Sequence, residues 1–190
     1  MVSLEVEFKN LLTSVEFTRI ESQFAFAPPF KQTNYYFDTP DQKLQQHHCG
    51  LRIRIYMDHA EQTLKVPTAR EKRGQHELLE ITDNLTMAQA GTKQIQPDGA
   101  VATALNDRQI SLSDLQIFAE ATTIRRIAEL DVGELTLDQT TYPNGRIDYE
   151  LELETKQPEL AQQFYQTLLQ RDQIPQRAVT NKISRAVTNH

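Results

Sequence analysis

Val2-Ser3-Leu4-Glu5-Val6-Glu7-Phe8-Lys9 alternates apolar and polar side chains with period two. In an extended chain Val2, Leu4, Val6 and Phe8 share one face, and Glu5, Glu7 and Lys9 share the other. The pattern returns at residues 51–56, where Leu51, Ile53 and Ile55 oppose Arg52, Arg54 and Tyr56. Residues 63–67 set Leu64 and Val66 against Lys65, and Leu135 and Leu137 oppose Thr136 and Asp138. At residues 147–154, Ile147, Tyr149, Leu151 and Leu153 oppose Asp148, Glu150, Glu152 and Glu154. With further candidates at 34–39, 75–83 and 122–130, the pattern predicts about eight strands.

Helical spacing falls between these segments. Leu12, Val15 and Arg19 follow the first strand, and Pro158 opens a helix on which Leu160, Phe164 and Leu168 recur every fourth residue. Residues 86–119 lack strand alternation, and Pro97-Asp98-Gly99 reads as a turn between short helices. Tyr142-Pro143-Asn144-Gly145 ends in Asn-Gly, a hairpin signal joining the seventh and eighth strands.

The 190 residues are 38% hydrophobic and 24% charged, which predicts one ordered domain over residues 1–190. No apolar run approaches the roughly 20 residues needed to cross a bilayer. Residues 1–9 carry glutamates where a signal peptide needs a basic and then an apolar stretch. Cys49 has no partner for a disulfide within the chain and fits a reducing compartment. A soluble cytoplasmic protein without a membrane partner is expected. The net charge of −6 argues against a nucleic-acid partner.

The charges are sorted by strand. The first and last strands are acidic, whereas Arg52, Arg54, Lys65 and Arg125 come from strands between them. A single antiparallel strand usually turns its charged face to water. Sorted charges across the set favour a different arrangement, a barrel with charged faces inward and helices over the apolar faces. Closure would bring the acidic strands together, and crowded carboxylates suit a divalent cation such as Mg²⁺ or Mn²⁺. The basic wall would suit an elongated polyanion, since guanidinium forks match phosphate oxygens.

Glu5-Val6-Glu7-Phe8-Lys9 forms an E-x-E-x-K pattern near the N-terminus. Tyr35-Tyr36-Phe37-Asp38-Thr39, Leu51-Arg52-Ile53-Arg54 and Leu64-Lys65 follow in order. Then come Arg125, Asp138, the Glu150/Glu152/Glu154 run and Asn181-Lys182. This ordered set resembles the CYTH domain, or triphosphate tunnel metalloenzyme family, and most of all its small single-domain bacterial branch. The resemblance implies an α+β fold: an eight-stranded antiparallel β-barrel with helices packed outside. It further implies bound Mg²⁺ or Mn²⁺ and hydrolysis of inorganic triphosphate or an organic triphosphate such as thiamine triphosphate. The family also includes adenylate cyclases, and a non-catalytic module binding polyphosphate or nucleotide stands as a further alternative.

By this resemblance, Glu5, Glu7, Lys9 and Lys182 are the candidate catalytic residues. Arg52, Arg54, Lys65 and Arg125 would grip phosphates. Metal ligands would come from Glu5, Glu7, Glu150, Glu152 and Glu154, with the pair among the last three left open. Glu80 and Asp138 match further acidic tunnel positions. Arg126 adjoins Arg125, and a strand bulge there would exchange them. His47 and His48 read as loop residues, Cys49 as a structural thiol, and Tyr35 and Tyr36 as packing residues.

Overall fold

The computed structural model describes residues 2–68 and 76–189, without the side chains of Leu4, Glu5, His76 and Glu77. The strands are β1 (Val2–Leu12), β2 (Phe30–Asp38), β3 (Gly50–Ile55), β4 (Ala60–Pro67), β5 (His76–Leu85), β6 (Gln116–Leu130), β7 (Gly133–Thr141) and β8 (Ile147–Glu154). The helices are α1 (Ser14–Glu21), α2 (Lys43–Gln46), α3 (Met87–Gly91), α4 (Ala100–Asn106), α5 (Pro158–Arg171) and α6 (Lys182–Thr188). Among the described residues, no helix is long and apolar enough to cross a membrane. The strands form a closed barrel in the order β1-β5-β4-β3-β2-β6-β7-β8, every neighbour antiparallel, and β1 meets β8 to complete the ring.

The hydrophobic core lies outside this ring. On one side Phe8, Leu135, Leu137, Leu151 and Leu153 of the barrel wall pack on Phe17 and Ile20 of α1 and on Ala161, Tyr165 and Leu168 of α5. On the other side Leu51, Ile53, Leu64 and Ile81 pack on Ala90 of α3 and Val101, Ala104 and Leu105 of α4. Each fully buried aliphatic side chain contributes about 1.5–3 kcal/mol, so the apolar faces turn to the helices and the charged faces turn inward. Local chemistry places the helices. Thr13 and Glu16 form a reciprocal capping box on α1, and Asp83 accepts from the backbone nitrogens of Ala100 and Val101 at the start of α4. The β7–β8 hairpin turns on Gly145, whose φ of +82° suits a residue without a Cβ.

Residues 116–119, expected to be non-strand, belong to β6 instead. Ala119 and Ala121 sit inside the ring on the same face as Thr123 and Arg125, and these small side chains erase the apolar-polar alternation. Their smallness makes room for α6, a helix that the sequence reading did not contain. Ala186 of α6 packs with Tyr36, Ala119, Ala121 and Tyr142, stopping one end of the barrel. Gly50 permits the approach, because a Cβ there would lie 2.6 Å from Ile183 Cδ1. The segment leading to α6 is tied down by Arg177, which donates to both Glu16 carboxylate oxygens and to the Leu11 carbonyl.

Candidate functional site

Inside the ring lies a cavity of about 860 Å³, lined by Glu7, Lys9, Arg52, Arg54, Lys65, Glu80, Arg125, Glu152, Glu154 and Lys182 among others. Strand pairing creates its acidic side. Lys9 lies opposite Glu152 and Glu7 opposite Glu154 across β1 and β8, while Glu150 lies opposite Asp138 across β8 and β7. The basic side comes from β3 and β4 with Arg52, Arg54 and Lys65.

The carboxylates on β7 and β8 form the tightest group. Oxygen atoms of Asp138, Glu150 and Glu152 lie within 4.8 Å of one another. Arg125 forks onto Asp138 through Nε at 2.8 Å and Nη2 at 2.7 Å, and Nη2 also donates to Glu152 at 2.9 Å. Lys182 Nζ reaches down from α6 to Asp138 at 2.6 Å, Glu150 at 3.0 Å and Glu152 at 3.6 Å. Arg185, one turn later, forks onto Glu150 at 2.7 and 3.2 Å and bonds Asp148 at 2.9 Å. On β1, Lys9 pairs with Glu7. A set of carboxylate oxygens at this spacing suits a hard divalent cation, so the residues present fit such an ion.

On the opposite wall, Glu80 lies 3.4 Å from Arg52 and 3.6 Å from Lys65. Arg54 is held differently. Its Nε donates to the neutral Asn34 amide oxygen at 2.8 Å, and Glu61 stands 3.8 Å from Nη1.

Burial and charge oppose each other throughout the cavity. Burial pushes the Glu152 carboxyl up, but Lys182, Arg125, Lys9 and Lys65 outweigh it and hold the group well below the usual carboxylate range. Asp138 is lowered in the same way, against its burial, by Arg125 and Lys182. Burial pulls Lys9 down, yet Glu7, Glu152 and Glu150 raise it overall. Lys182 is likewise raised by Asp138, Glu150 and Glu152 in spite of its burial. Arg54 moves the other way: burial, then Arg52 and Arg125, bring it below the ordinary guanidinium range. The carboxylates of the acidic side are therefore held ionised by the cations set among them.

The cavity brings together Glu7, Lys9, Arg52, Arg54, Lys65, Glu80, Arg125, Glu152 and Lys182, with Asp138 and Glu150 buried beneath its surface. Glu154 sits at the exposed rim, and the Glu5 side chain lies outside the described residues. Arg126 points out of the ring, donating to Glu21 at 2.5 Å and lying over the Phe17 ring. Alternation in β6 is thus regular at this pair, and the irregularity falls between Tyr36 and Phe37. Sequence reasoning missed Asn34, Glu61 and Arg185. Asn34 shares the parity of Tyr36 on β2, a signal open to reading, whereas Arg185 depends on α6 being a helix three residues past Lys182.

The profile of the CYTH domain matches residues 3–187. YjbK of Bacillus subtilis (strain 168), named as a candidate triphosphatase, is 36% identical over 184 residues, spanning 96% of this chain and 93% of its own length. A crystal structure of a candidate adenylate cyclase from Bacillus halodurans superposes with a TM-score of 0.86 at 32% identity, covering 97% of each chain. HpAC1 from Hippeastrum, a candidate adenylyl cyclase described as having a dominant triphosphatase activity, shares the fold with a TM-score of 0.80. Its identity is 22%, over 95% of this chain and 93% of that one. With the profile spanning nearly its whole length and its charged residues turned into a closed eight-stranded barrel, the chain belongs to the CYTH domain family.

Proposed function

We propose that this protein is a metal-dependent triphosphatase acting on inorganic triphosphate or a small organic triphosphate, with residues 1–190 forming one CYTH domain. The observation that carries this reading is one cavity in which Glu152, grouped with the buried Asp138 and Glu150 beneath it, faces a wall of Arg52, Arg54 and Lys65. The triphosphatase name of YjbK and the activity described for HpAC1 accord with it.

In hydrolysis, water attacks the terminal phosphorus, the bond to the neighbouring bridging oxygen breaks, and orthophosphate leaves the shortened chain. The transition state spreads charge over the transferred phosphoryl oxygens, so alignment and charge neutralisation do most of the work. Arg52, Arg54, Lys65 and Arg125 are assigned the phosphate oxygens. Lys9 and Lys182 are assigned charge at the reacting end, and Glu5 and Glu7 the orientation of the attacking water. Glu150, Glu152 and Asp138 would hold the cation, with Glu5, Glu7 and Glu154 as further candidate ligands. A bound Mg²⁺ or Mn²⁺ would supply Lewis acidity and a template for the phosphate chain. A cytoplasmic setting fits the single free cysteine.

A substrate panel with Mg²⁺ and with Mn²⁺, spanning inorganic triphosphate, thiamine triphosphate and ATP, tests the reading. Orthophosphate release that stops in excess chelator is the expected result. Cyclic AMP with pyrophosphate from ATP would make the protein a cyclase, the activity suggested for the Bacillus halodurans relative. Tight binding without turnover would make it a sensing module.

A further inference from the structure

We infer that Lys182 is an exchangeable internal counter-ion that makes divalent-cation binding and triphosphate binding depend on each other. The inference rests on the triphosphatase reading for the identity of the anion. Its structural basis is that the Lys182 ammonium stands within 3.6 Å of Asp138, Glu150 and Glu152, the same three carboxylates whose oxygens converge within 4.8 Å. A cation entering that group meets a positive charge already in place. Like charges repel strongly where water is excluded, so the ammonium has to withdraw as the dication enters.

Withdrawal has one productive direction. Lys182 lines the cavity that also exposes Arg52, Arg54 and Lys65, where the proposed phosphate chain would lie. If a triphosphate alone drew the ammonium away, buried carboxylates would lose a cation while facing a polyanion. If a dication entered alone, the displaced ammonium would give up three carboxylates with no phosphate oxygens to replace them. With both ligands present, the dication takes the carboxylates and the ammonium takes phosphate oxygens. Each ligand then relieves the obstacle to the other, and by thermodynamic reciprocity the two affinities rise by the same factor.

Lys182 is better placed to exchange than its neighbours. Arg185 is fixed by additional bonds to Asp148, Tyr142 and the Thr180 carbonyl. Arg125 extends from the middle of a 15-residue strand and forks onto Asp138. Lys182 is the first residue of a seven-residue helix, reached through residues 175–181, which form neither helix nor strand. Its charge is a compact point on a flexible four-carbon stem, without the directional demand of a guanidinium.

The test is Mn²⁺ titration by calorimetry and electron paramagnetic resonance, with and without the non-hydrolysable imidotriphosphate, on wild type, Lys182→Met and Lys182→Arg. In wild type each ligand is expected to tighten the other about tenfold or more. Lys182→Met should bind Mn²⁺ alone more tightly than wild type and show weaker coupling, while Lys182→Arg, which keeps the charge on a more directional group, should bind Mn²⁺ alone no more tightly than wild type. Mn²⁺ affinity in wild type that is indifferent to imidotriphosphate overturns the inference, as does unchanged affinity for Mn²⁺ alone in Lys182→Met. If circular dichroism shows that Lys182→Met does not fold, Lys182→Gln takes its place, and its affinity for Mn²⁺ alone decides by the same criterion. If imidotriphosphate does not bind under any condition, the triphosphatase reading fails, and the Mn²⁺ affinities of wild type and Lys182→Met still decide whether Lys182 competes for the carboxylates.

Discussion

Arg52 and Arg125 both face the cavity, but their partners give them different consequences when lost. Glu80, which pairs with Arg52, also stands beside Lys65, so removing Arg52 leaves Glu80 with a cation. Arg52→Ala should therefore keep the fold and weaken substrate binding by roughly 1.5–3 kcal/mol, the value of a charge-assisted contact. Steady-state kinetics should show KM raised about ten- to more than a hundredfold with kcat less affected. Glu5→Gln should do the reverse, lowering kcat more than KM; an intact kcat would remove Glu5 from the chemistry. Arg125 is bound to Asp138, which is fully buried, and to Glu152. Arg125→Met takes one cation from both carboxylates and leaves them Lys182, so it should cost folding stability, up to the roughly 3–5 kcal/mol of a fully broken buried pair. Denaturant melts of the metal-free protein would measure it, and an unchanged midpoint would contradict the argument.

At the scale of elements, α6 couples the closure of the barrel to its chemistry. The helix stops one end with Ile183 and Ala186 and carries Lys182 and Arg185 onto the acidic strands. Gly50→Val fills the space that Ile183 needs, and overpacking of this kind costs about 1–3 kcal/mol. Because displacing α6 also moves Lys182, triphosphate hydrolysis should fall along with thermal stability. Preserved activity would mean that the helix position and Lys182 are separable. The segment before α6 has its own lever in Arg177 and Glu16. Burial pushes the Glu16 carboxyl up, but Arg177 and the Thr13 cap outweigh it and leave it below the usual carboxylate range. Such a group stabilises the fold above its unfolded value, near about 4.3, and loses that contribution as pH falls through the folded value. Glu16→Gln should therefore melt below wild type at neutral pH, and the gap should close as the medium becomes more acidic than about pH 4. A gap of constant size across that range would assign the effect to packing.

Across the whole molecule, apolar and charged residues have exchanged their customary places relative to the sheet. The core surrounds the ring, and the ring encloses ion pairs. Helix packing stabilises this arrangement from outside, while the interior is set up for ligands that carry both signs of charge. A ligand pair that binds only the folded barrel raises its stability by mass action, by about 2.7 kcal/mol at a hundredfold excess over Kd. Mn²⁺ and imidotriphosphate together should therefore raise Tm in a concentration-dependent way. A melting temperature indifferent to saturating amounts of both would argue against any site for them inside the barrel.

Much of this was legible in the chain alone. Period-two alternation at β1, β3 and β8 determined which side chains share a face, because successive residues of a strand must point to opposite sides. The sorting of charge by strand pointed to an enclosed charged surface, and the ordered motifs to the family. Tertiary structure decided what local pattern could not carry. Ala119 and Ala121 gave no sign that β6 begins before residue 122, since small side chains inside a ring erase the alternation that marks a strand. Helix α6 is seven residues long, and isolated helices of that length are marginal in water. It stands because Gly50, Ala119 and Ala121 leave room for it and the carboxylates of β7 and β8 receive its cations. The choice between Arg125 and Arg126, the grouping of Asp138 with Glu150 and Glu152, and the reach of Lys182 to all three depend on residues far apart in the chain, up to 44 positions for Lys182 and Asp138, meeting in space. Register between strands and the docking of a terminal helix are properties of the closed barrel, and no segment specifies them by itself.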